Sequence, residues 1–332
     1  MDVKITKASA KAQSNTALIK YWGKRDEELI IPLNNSISMT TDALSTITTV
    51  EFSDEYSQDL FYLNDQLQTG KSLQRVSNHL NIIRKMADCT EFAKVKSENN
   101  FPTASGLASS ASGFAALTVA ACSALKLKLD KRELSMVARR GSGSSCRSIY
   151  GGFVEWIAFD DDHQSYAIQL AKKDHFNIRD LVVVLDAPER KVYTREAMKI
   201  SQNTSPFMKT RLELISKSLE NIRVAITEKN FDLLGSTAEM DCLSMHAVAL
   251  TSYPSLLFWT PETISVINCI ENLREQGIST YYTIDTGANM HVLATPKDEK
   301  TIIDYLDENV NINQIISSKP GEGTKVILNH LF

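Results

Sequence analysis

The segment at residues 102–112 constrains the fold most, because small residues there lead directly into an apolar run. The run at residues 114–125 is rich in alanine, as a buried helix would be. Gly106 lets the backbone approach an anion closely, and serine hydroxyls add donors to the free N–H groups at a helix start. The segment therefore predicts either a phosphate-binding loop or a serine-capped core helix. It is not the common nucleotide loop, since the Gly-Lys-Ser at residues 70–72 follows Asp65 where that loop requires glycine.

The composition is that of an ordinary globular protein. With 332 residues, the chain can form two domains or one large domain with a sizeable core. Its formal net charge of −4 gives no reason to expect nucleic acid as a partner. No apolar run approaches the roughly 18 residues that span a membrane, and residues 1–11 lack the apolar core of a signal peptide. The 5 cysteines form no C-x-x-C pair, so reduced thiols and a cytoplasmic location are expected.

Helical and strand patterns are mixed along the chain without regular alternation. Apolar spacing predicts helices over residues 75–86, 131–140, 212–226, 231–245, 261–277 and 298–306. Strands are predicted over residues 46–52, 153–159, 181–185, 281–284, 290–293 and 325–328. The apolar runs at residues 281–284 and 290–293 resemble paired strands with a glycine turn between them. This order favours an α+β fold over a doubly wound sheet. A change of pattern after Pro188 predicts two domains, residues 1–188 and residues 189–332.

Two segments supply basic side chains beside polar groups. Residues 15–24 contain Lys20 and Lys24 among aromatic and amide side chains that could line a pocket. Residues 139–148 place Arg147 after a Gly-Ser-Gly-Ser-Ser run, and its guanidinium offers a rigid fork for a carboxylate or phosphate. The ordinary alternatives are solvated surface lysines and a flexible serine loop.

Two later segments complete the candidate chemistry. Residues 190–195 add basic side chains and hydroxyls, and residues 282–289 place Asp285 in a glycine-containing turn. An aspartate in such a turn either bonds its own backbone or, when partly desolvated beside a hydroxyl, acts as an acid or base. The histidines are scattered without ligand spacing, so no metal site built by side chains is expected. A divalent ion would arrive with a nucleotide, held by its phosphates and one or two oxygen ligands.

Together these segments resemble one family, the diphosphomevalonate decarboxylases of the GHMP kinase superfamily. The resemblance rests on Tyr-Trp-Gly-Lys at residues 21–24, Gly-Leu-Ala-Ser-Ser-Ala-Ser at residues 106–112 and Gly-Ser-Gly-Ser-x-x-Arg-Ser at residues 141–148. Residues 34–38, Arg75 and the Met-His-Ala at residues 245–247 agree as well. The matches keep the family's order from residue 15 to about residue 293, and their combination is highly specific.

The resemblance implies a two-domain α+β GHMP kinase fold with the active site in the cleft between the domains. It implies ATP-dependent decarboxylation of (R)-5-diphosphomevalonate to isopentenyl diphosphate, ADP, phosphate and CO2, with Mg²⁺ accompanying ATP. In this family the C3 hydroxyl is phosphorylated, and the new phosphate leaves as the carboxylate bond breaks. The implied partners are small molecules, without nucleic acid or membrane, and the implied assembly is a homodimer.

The resemblance also assigns roles to individual residues. Asp285 would orient or deprotonate the C3 hydroxyl, Lys24 would lie beside Asp285 and keep it ionised, and Arg147 would hold the substrate carboxylate. The positions expected to bind the mevalonate body and its phosphates are Tyr21, Trp22, Gly23, Arg75, Ser142, Gly143, Ser144, Ser145, Cys146, Thr194, Arg195 and Thr204. The positions expected on the nucleotide side are Ser97, Asn99, Gly106, Leu107, Ala108, Ser109 and Ser110. No protein side chain is assigned to the metal.

The chain departs from the family's motifs at two places. Thr194 stands where the family usually has serine, so a hydroxyl is kept. The family's Asp-Ala-Gly-Pro-Asn turn reads Asp-Thr-Gly-Ala-Asn at residues 285–289, and losing the proline would loosen the turn that aims Asp285. Three alternatives stay open: a 5-phosphomevalonate decarboxylase giving isopentenyl phosphate, a mevalonate 3-kinase relative that stops after phosphorylation, and a non-catalytic homologue that binds a phosphorylated metabolite.

Overall fold

The computed structural model describes residues 6–101, 109–186 and 192–332, which form two main sheets and a short ribbon. The first sheet contains β1 (Thr6–Ile19), β4 (Ser36–Ser53), β5 (Leu60–Leu63), β6 (Gln66–Gln68), β7 (Phe92–Asn99), β8 (Phe153–Trp156), β9 (Ala167–Ala171) and β14 (Lys325–Ile327). The second sheet contains β10 (Arg179–Val184), β11 (Thr280–Ile284), β12 (Met290–Ala294) and β13 (Gln314–Ser318). The ribbon pairs β2 (Lys24–Asp26) with β3 (Ile31–Pro32).

The pairing within the sheets is almost entirely antiparallel. The first sheet has the order β14-β1-β4-β7-β5-β6, and β4 also pairs with β8, which pairs with β9. The second has the order β11-β12-β10-β13. Among the strands described, only β5 and β7 run parallel. The α+β prediction is confirmed, and so is the predicted β11–β12 hairpin.

The helices occur where the apolar periodicity predicts most of them. They are α1 (Gly70–Ala87), α2 (Ser109–Ala124), α3 (Lys131–Gly141), α4 (Ser145–Ser148), α5 (Thr194–Thr204), α6 (Met208–Glu228), α7 (Phe231–Leu250), α8 (Pro261–Glu275) and α9 (Glu299–Asn309), with a 3-10 turn at Asp162–Gln164. The predicted start of α8 is confirmed, because the Thr260 side chain accepts from the Thr263 N–H and proline occupies the first turn. No helix in the described ranges is long and apolar enough to cross a membrane.

Helix α2 forms the centre of the first apolar core. Its alanines are buried together with Phe114 and Leu117, and they pack with Val50 and Phe52 of β4 and with Val95 of β7. Alanine side chains let the helix approach the sheet closely, so the predicted buried helix is confirmed for residues 109–124. Residues 102–108, which include the predicted Gly106, Leu107 and Ala108, lie outside the described residues.

A separate apolar cluster joins the two sheets. Leu18 and Ile19 at the end of β1 pack with Ile215 and Leu219 of α6 and with Leu293 of β12. Burying these side chains together fixes the end of β1 against the β11–β12 hairpin. The loops that follow β1 and β11 are consequently held near each other.

Several described elements are absent from the sequence predictions, namely β1, β2, β3, β5, β6, β7, β9, β13, α4 and α5. Strand β1 has mostly small and polar residues without an alternating apolar pattern, because it is buried on both faces. Strand β13 is short, and α5 is a polar helix with only 3 buried residues. The domain boundary near residue 188 stays a prediction; β10 precedes it yet belongs to the second sheet, and β14 returns to the first.

Candidate active site

An ion pair between two loops marks the candidate site. Lys20 directly follows β1, and Asp285 directly follows β11. The Thr283 hydroxyl donates to the Ala17 carbonyl at 3.3 Å, which ties β11 to β1 just before these two residues. The Lys20 Nζ then lies 2.6 Å from Oδ1 of Asp285, with the lysine side chain 3% exposed and the aspartate 29% exposed. Two strand ends from different sheets therefore hold a carboxylate and an ammonium in contact.

The surroundings keep Asp285 ionised. Burial alone would raise the pKa of this carboxyl, but the positive charges of Lys20, His291 and Arg147 outweigh it and hold the pKa below the usual range. His291 itself is bonded to the buried Asp180 at 3.0 Å, and despite burial that carboxylate raises the pKa of the imidazole. The Asp285 carboxylate is thus an acceptor at neutral pH.

The lysine beside Asp285 is Lys20, and the expectation that Lys24 occupies this place is wrong. Gly23 has a φ of +92° and turns the chain between the two lysines. Lys24 begins β2, its backbone bonds the Gln202 side chain at 2.8 Å, and its Nζ pairs with Glu27. A signal for Lys20 was available in the sequence, because it stands where an apolar strand end, Leu18 and Ile19, gives way to polar residues.

The backbone of Lys20 is fixed from a third direction. Its N–H donates to Oδ2 of Asp241 on α7 at 2.7 Å, and Asp241 is itself paired with the buried Arg211 of α6 at 3.0 Å. Arg211 also donates to the Lys20 carbonyl at 3.3 Å. Sequence analysis missed this supporting pair, because its two members are distant from each other and from Lys20 along the chain.

Arg147 is a buried cation among neutral groups. It lies in α4 and is 2% exposed. Its guanidinium donates to the hydroxyls of Ser36 and Ser38 and to the Asn15 amide oxygen. In the described ranges no carboxylate forms an ion pair with it, and burial lowers its pKa. A fixed, unneutralised guanidinium near Asp285 is suited to holding an anion.

Tyr21 presents a hydroxyl without a hydrogen-bond partner among the described residues. Its ring packs edge-on against Trp156 at 4.7 Å between centroids, while the hydroxyl is buried. Gly143 permits this packing, because a Cβ there would lie 2.7 Å from the Tyr21 ring and 2.9 Å from the Trp156 ring. Burial raises the pKa of Tyr21, so the hydroxyl stays a donor for a bound ligand.

The serine-rich turn at residues 142–148 supports the site mainly through its backbone and buried groups. The Ser142 hydroxyl lies 3.2 Å from that of Ser110 at the start of α2. The Ser144 carbonyl accepts from Asn15 at 3.2 Å. The Ser145 hydroxyl donates to the Ala138 carbonyl of α3 and to the Ser142 carbonyl, and Cys146 is 0% exposed in an apolar cluster with Trp156. Both side chains therefore support the turn, and the substrate-binding role of Ser145 and Cys146 stays a prediction.

Arg75, Arg195 and Thr194 are further candidate residues of the site. Arg195 donates to the Gly141 carbonyl at 2.7 Å, and the Thr194 hydroxyl lies 2.6 Å from that of Thr286 in the turn after Asp285. Partial loss of hydration, followed by repulsion from Arg195, lowers the pKa of Arg75 to about 10. The two guanidiniums are therefore near enough to repel each other.

A pocket on the α2 side brings together the four predicted nucleotide residues that the structure describes. Its lining includes Ser97, Asn99, Ser109 and Ser110, with Arg75 on the same wall. Asn99 accepts from the Thr46 hydroxyl at 2.6 Å, so part of this polar wall is rigid. Within the described ranges no group of three or more acidic, histidine or cysteine side chains could hold a metal ion.

Three other predicted ligand positions have structural partners. The Trp22 indole is buried and donates to the Ser201 hydroxyl at 2.9 Å. Gly23 packs against Leu33, which leaves no space for a side chain. Thr204 donates to the Ile200 carbonyl at 2.7 Å and accepts from the Tyr253 N–H. The Trp22 and Thr204 side chains therefore bond within the protein, and the substrate-binding role of Trp22, Gly23 and Thr204 stays a prediction.

Comparison with known proteins covers almost the whole chain. Residues 12–167 match the family model described as the diphosphomevalonate decarboxylase-like N-terminal domain. Residues 180–327 match the mevalonate 5-diphosphate decarboxylase C-terminal domain. The diphosphomevalonate decarboxylase of Candida albicans is 34% identical over 315 residues, covering 90% of this chain and 87% of that protein.

Solved structures agree over the same length. The mevalonate diphosphate decarboxylase from Staphylococcus aureus has a TM-score of 0.94 and 41% identity, with 98% of each chain covered. A structure of MDDEF in complex with MVAPP, AMPPCP and magnesium also has a TM-score of 0.94, at 40% identity, and covers 98% of this chain and 100% of that one.

Proposed function

The chain belongs to the diphosphomevalonate decarboxylase family, and we propose that it converts (R)-5-diphosphomevalonate and ATP into isopentenyl diphosphate, ADP, phosphate and CO2. Family membership confirms the sequence resemblance and the α+β GHMP kinase fold. The observation that carries the proposal is the 2.6 Å contact between Asp285 and Lys20. This contact places an ionised hydrogen-bond acceptor, the Asp285 carboxylate, beside a fixed positive charge, the Lys20 ammonium group.

The first step is phosphorylation of the tertiary C3 hydroxyl. Asp285 accepts a hydrogen bond from this hydroxyl and takes its proton as the oxygen attacks the γ-phosphorus of ATP, and ADP leaves. Lys20, 2.6 Å from the carboxylate, offsets the negative charge that gathers around the transferring phosphoryl group. A tertiary hydroxyl is a poor leaving group, and its phosphate ester is a good one.

The second step releases two products. The C3–oxygen bond breaks with its electron pair on the departing phosphate, and positive charge develops on C3. The bond between C2 and the carboxylate then supplies its electrons to form the new double bond, and CO2 leaves. Arg147, held by neutral partners, is suited to orient the substrate carboxylate during this step.

The nucleotide is proposed to bind on the α2 side. Ser97, Asn99, Ser109 and Ser110 line one pocket there and offer hydroxyl and amide groups to ATP. Mg²⁺ neutralises the phosphate oxygens when bound, and the nucleotide supplies most of its ligands.

The phosphate end of the substrate is proposed to lie against the basic wall. Arg75 and Arg195 are near enough to repel each other, and Tyr21 and Thr194 add hydroxyls in the same part of the site. Several donors favour a diphosphate over a single phosphate, because each additional phosphate group brings further negative charge and acceptor oxygens.

We further propose a homodimer and a cytoplasmic location, both on the family resemblance alone. Light scattering during size-exclusion chromatography tests the first: a mass near twice 37.0 kDa supports it, and a mass near 37.0 kDa contradicts it.

One experiment tests the function. The protein is incubated with Mg-ATP and, separately, with mevalonate, 5-phosphomevalonate and 5-diphosphomevalonate, and ADP, phosphate and CO2 are measured. We expect all three products in equal amounts from the diphosphate. ADP without CO2 would indicate a 3-kinase, and CO2 from the monophosphate alone would change the assigned substrate.

A further inference from the structure

Two threonine hydroxyls connect helix α5 to the turn that carries Asp285. Thr286 directly follows Asp285 and is 8% exposed. Its Oγ1 lies 2.6 Å from Oγ1 of Thr194, the first residue of α5. Both residues stand at positions where the sequence departs from the family's motifs. The two departures therefore meet in one hydrogen bond.

Two further contacts hold the turn after Asp285, one to α8 and one to the residue that follows β10. The Thr263 hydroxyl of α8 donates to the Ala288 carbonyl at 3.3 Å. The Leu185 N–H donates to the Asn289 side chain at 2.9 Å. These contacts fix the second half of the turn. Thr286 fixes the first half, next to the carboxylate.

The start of α5 also reaches the opposite wall of the site. Arg195, the second residue of α5, donates to the Gly141 carbonyl at 2.7 Å. Gly141 ends α3 immediately before the turn that leads to Arg147. One helix start therefore contacts the segments that carry both Asp285 and Arg147.

A bound phosphate determines which of the two threonine hydroxyls donates in the hydrogen bond between them. Each threonine hydroxyl has one proton to donate and can also accept. Phosphate oxygens accept, so Thr194 has to donate its proton to a phosphate bound at the start of α5. Thr194 can then only accept from Thr286. The β-branched side chains restrict the rotation of both hydroxyls, which keeps this arrangement in place.

We propose that Thr286 is a positioning residue that couples phosphate binding at Thr194 to the placement of Asp285 against Lys20. This inference rests on the proposed function, because it needs a phosphorylated substrate at α5 and a reacting hydroxyl at Asp285. Thr286 donates to Thr194, and Thr194 donates to the substrate phosphate, in a chain of hydrogen bonds that ends one residue from the carboxylate. A substrate phosphate bound at Thr194 thereby fixes the position of the Asp285 carboxylate, which acts on the C3 hydroxyl.

The test compares matched threonine variants in the whole protein. Thr286→Val keeps the shape and removes the hydroxyl, and Thr286→Ser keeps the hydroxyl. Thr280→Val is the control, because Thr280 is buried at the far end of the same hairpin and donates to the Leu293 carbonyl at 3.0 Å. For each variant, kcat, both KM values, the pH dependence of kcat and the melting temperature are measured with diphosphomevalonate and Mg-ATP.

Thr286→Val is expected to lower kcat about tenfold, in line with the loss of one buried hydrogen bond, and to leave the KM for ATP unchanged. The acid limb of its pH profile is expected to move to higher pH, because Asp285 is held less closely to Lys20. Thr286→Ser is expected to restore most of the rate. Thr280→Val is expected to lower the melting temperature but to keep kcat and the acid limb.

Two results would overturn the inference while leaving the proposed function intact. In the first, Thr286→Val keeps the wild-type kcat and pH profile. In the second, Thr280→Val loses as much kcat as Thr286→Val. A wild-type protein that releases no CO2 would refute the proposed function, and this role with it.

Discussion

Replacing Lys20 by methionine removes the charge beside Asp285 and keeps an unbranched chain of similar length. At the observed separation of 2.6 Å, the attraction is worth about 1.6 kcal/mol in bulk water and about 6 kcal/mol at an effective dielectric constant of about 20. The lysine is 3% exposed and the aspartate 29% exposed, so the pair lies between these limits. Loss of one such fixed charge from a transition state costs about 10²- to 10³-fold in kcat.

The direction of the accompanying pH effect follows from the causes of the Asp285 pKa. Burial raises this pKa, and Lys20 is the largest of the charges that lower it. Without Lys20 the pKa rises, so a larger fraction of the carboxyl is protonated at mildly acidic pH and cannot accept the substrate proton. The acid limb of the kcat/KM profile for CO2 release is therefore expected to move to higher pH.

Lys24→Met is the matched comparison, because Lys24 pairs with the exposed Glu27 and not with Asp285. The acid limb of the Lys24→Met pH profile is expected to stay at the wild-type position, whatever the effect of the substitution on KM. The reasoning would be refuted if Lys20→Met kept the wild-type rate and acid limb, or if Lys24→Met moved the limb equally. Circular dichroism and melting curves establish that each variant is folded.

Three further predictions concern other parts of the molecule. Asp285→Asn is expected to abolish turnover while a non-hydrolysable ATP analogue still binds in calorimetry; turnover near the normal rate would contradict the assigned role. Gly143→Ala is expected to destabilise the protein by about 1–3 kcal/mol in denaturant unfolding, because its methyl group would lie 2.7 Å from the Tyr21 ring. Asp59→Asn is expected to cost about 3–5 kcal/mol at neutral pH, since Asp59 forms a buried pair with Arg84 at 2.8 Å. Burial raises the pKa of Asp59, but Arg84 lowers it overall, so this difference should shrink as the pH falls from about 4 through the lowered pKa; a pH-independent difference would contradict it.

Local patterns predict most of the described helices but fewer than half of the described strands. Helices such as α6 and α8 have apolar spacing or capping residues that specify them without help from the rest of the chain. The hairpin of β11 and β12 was predicted from two apolar runs around a glycine turn. Strand β1 was not predicted, because its small polar residues become strand through burial between other elements.

The site was predicted in its residue types and only partly in its geometry. Asp285 and Arg147 come near each other as expected, but the choice between Lys20 and Lys24 depends on the turn at Gly23. A motif fixes which residues are present; it does not fix which of two lysines, four residues apart, faces the carboxylate. The contact between Thr194 and Thr286 is likewise a matter of tertiary packing.

The fate of the C3 hydroxyl oxygen tests the central claim most directly. Diphosphomevalonate labelled with oxygen-18 at the C3 hydroxyl is turned over with Mg-ATP, and the released inorganic phosphate is analysed by mass spectrometry. If the hydroxyl is phosphorylated and leaves as phosphate, one labelled oxygen appears in each phosphate released with CO2. Unlabelled phosphate, with the label in water, would contradict the account.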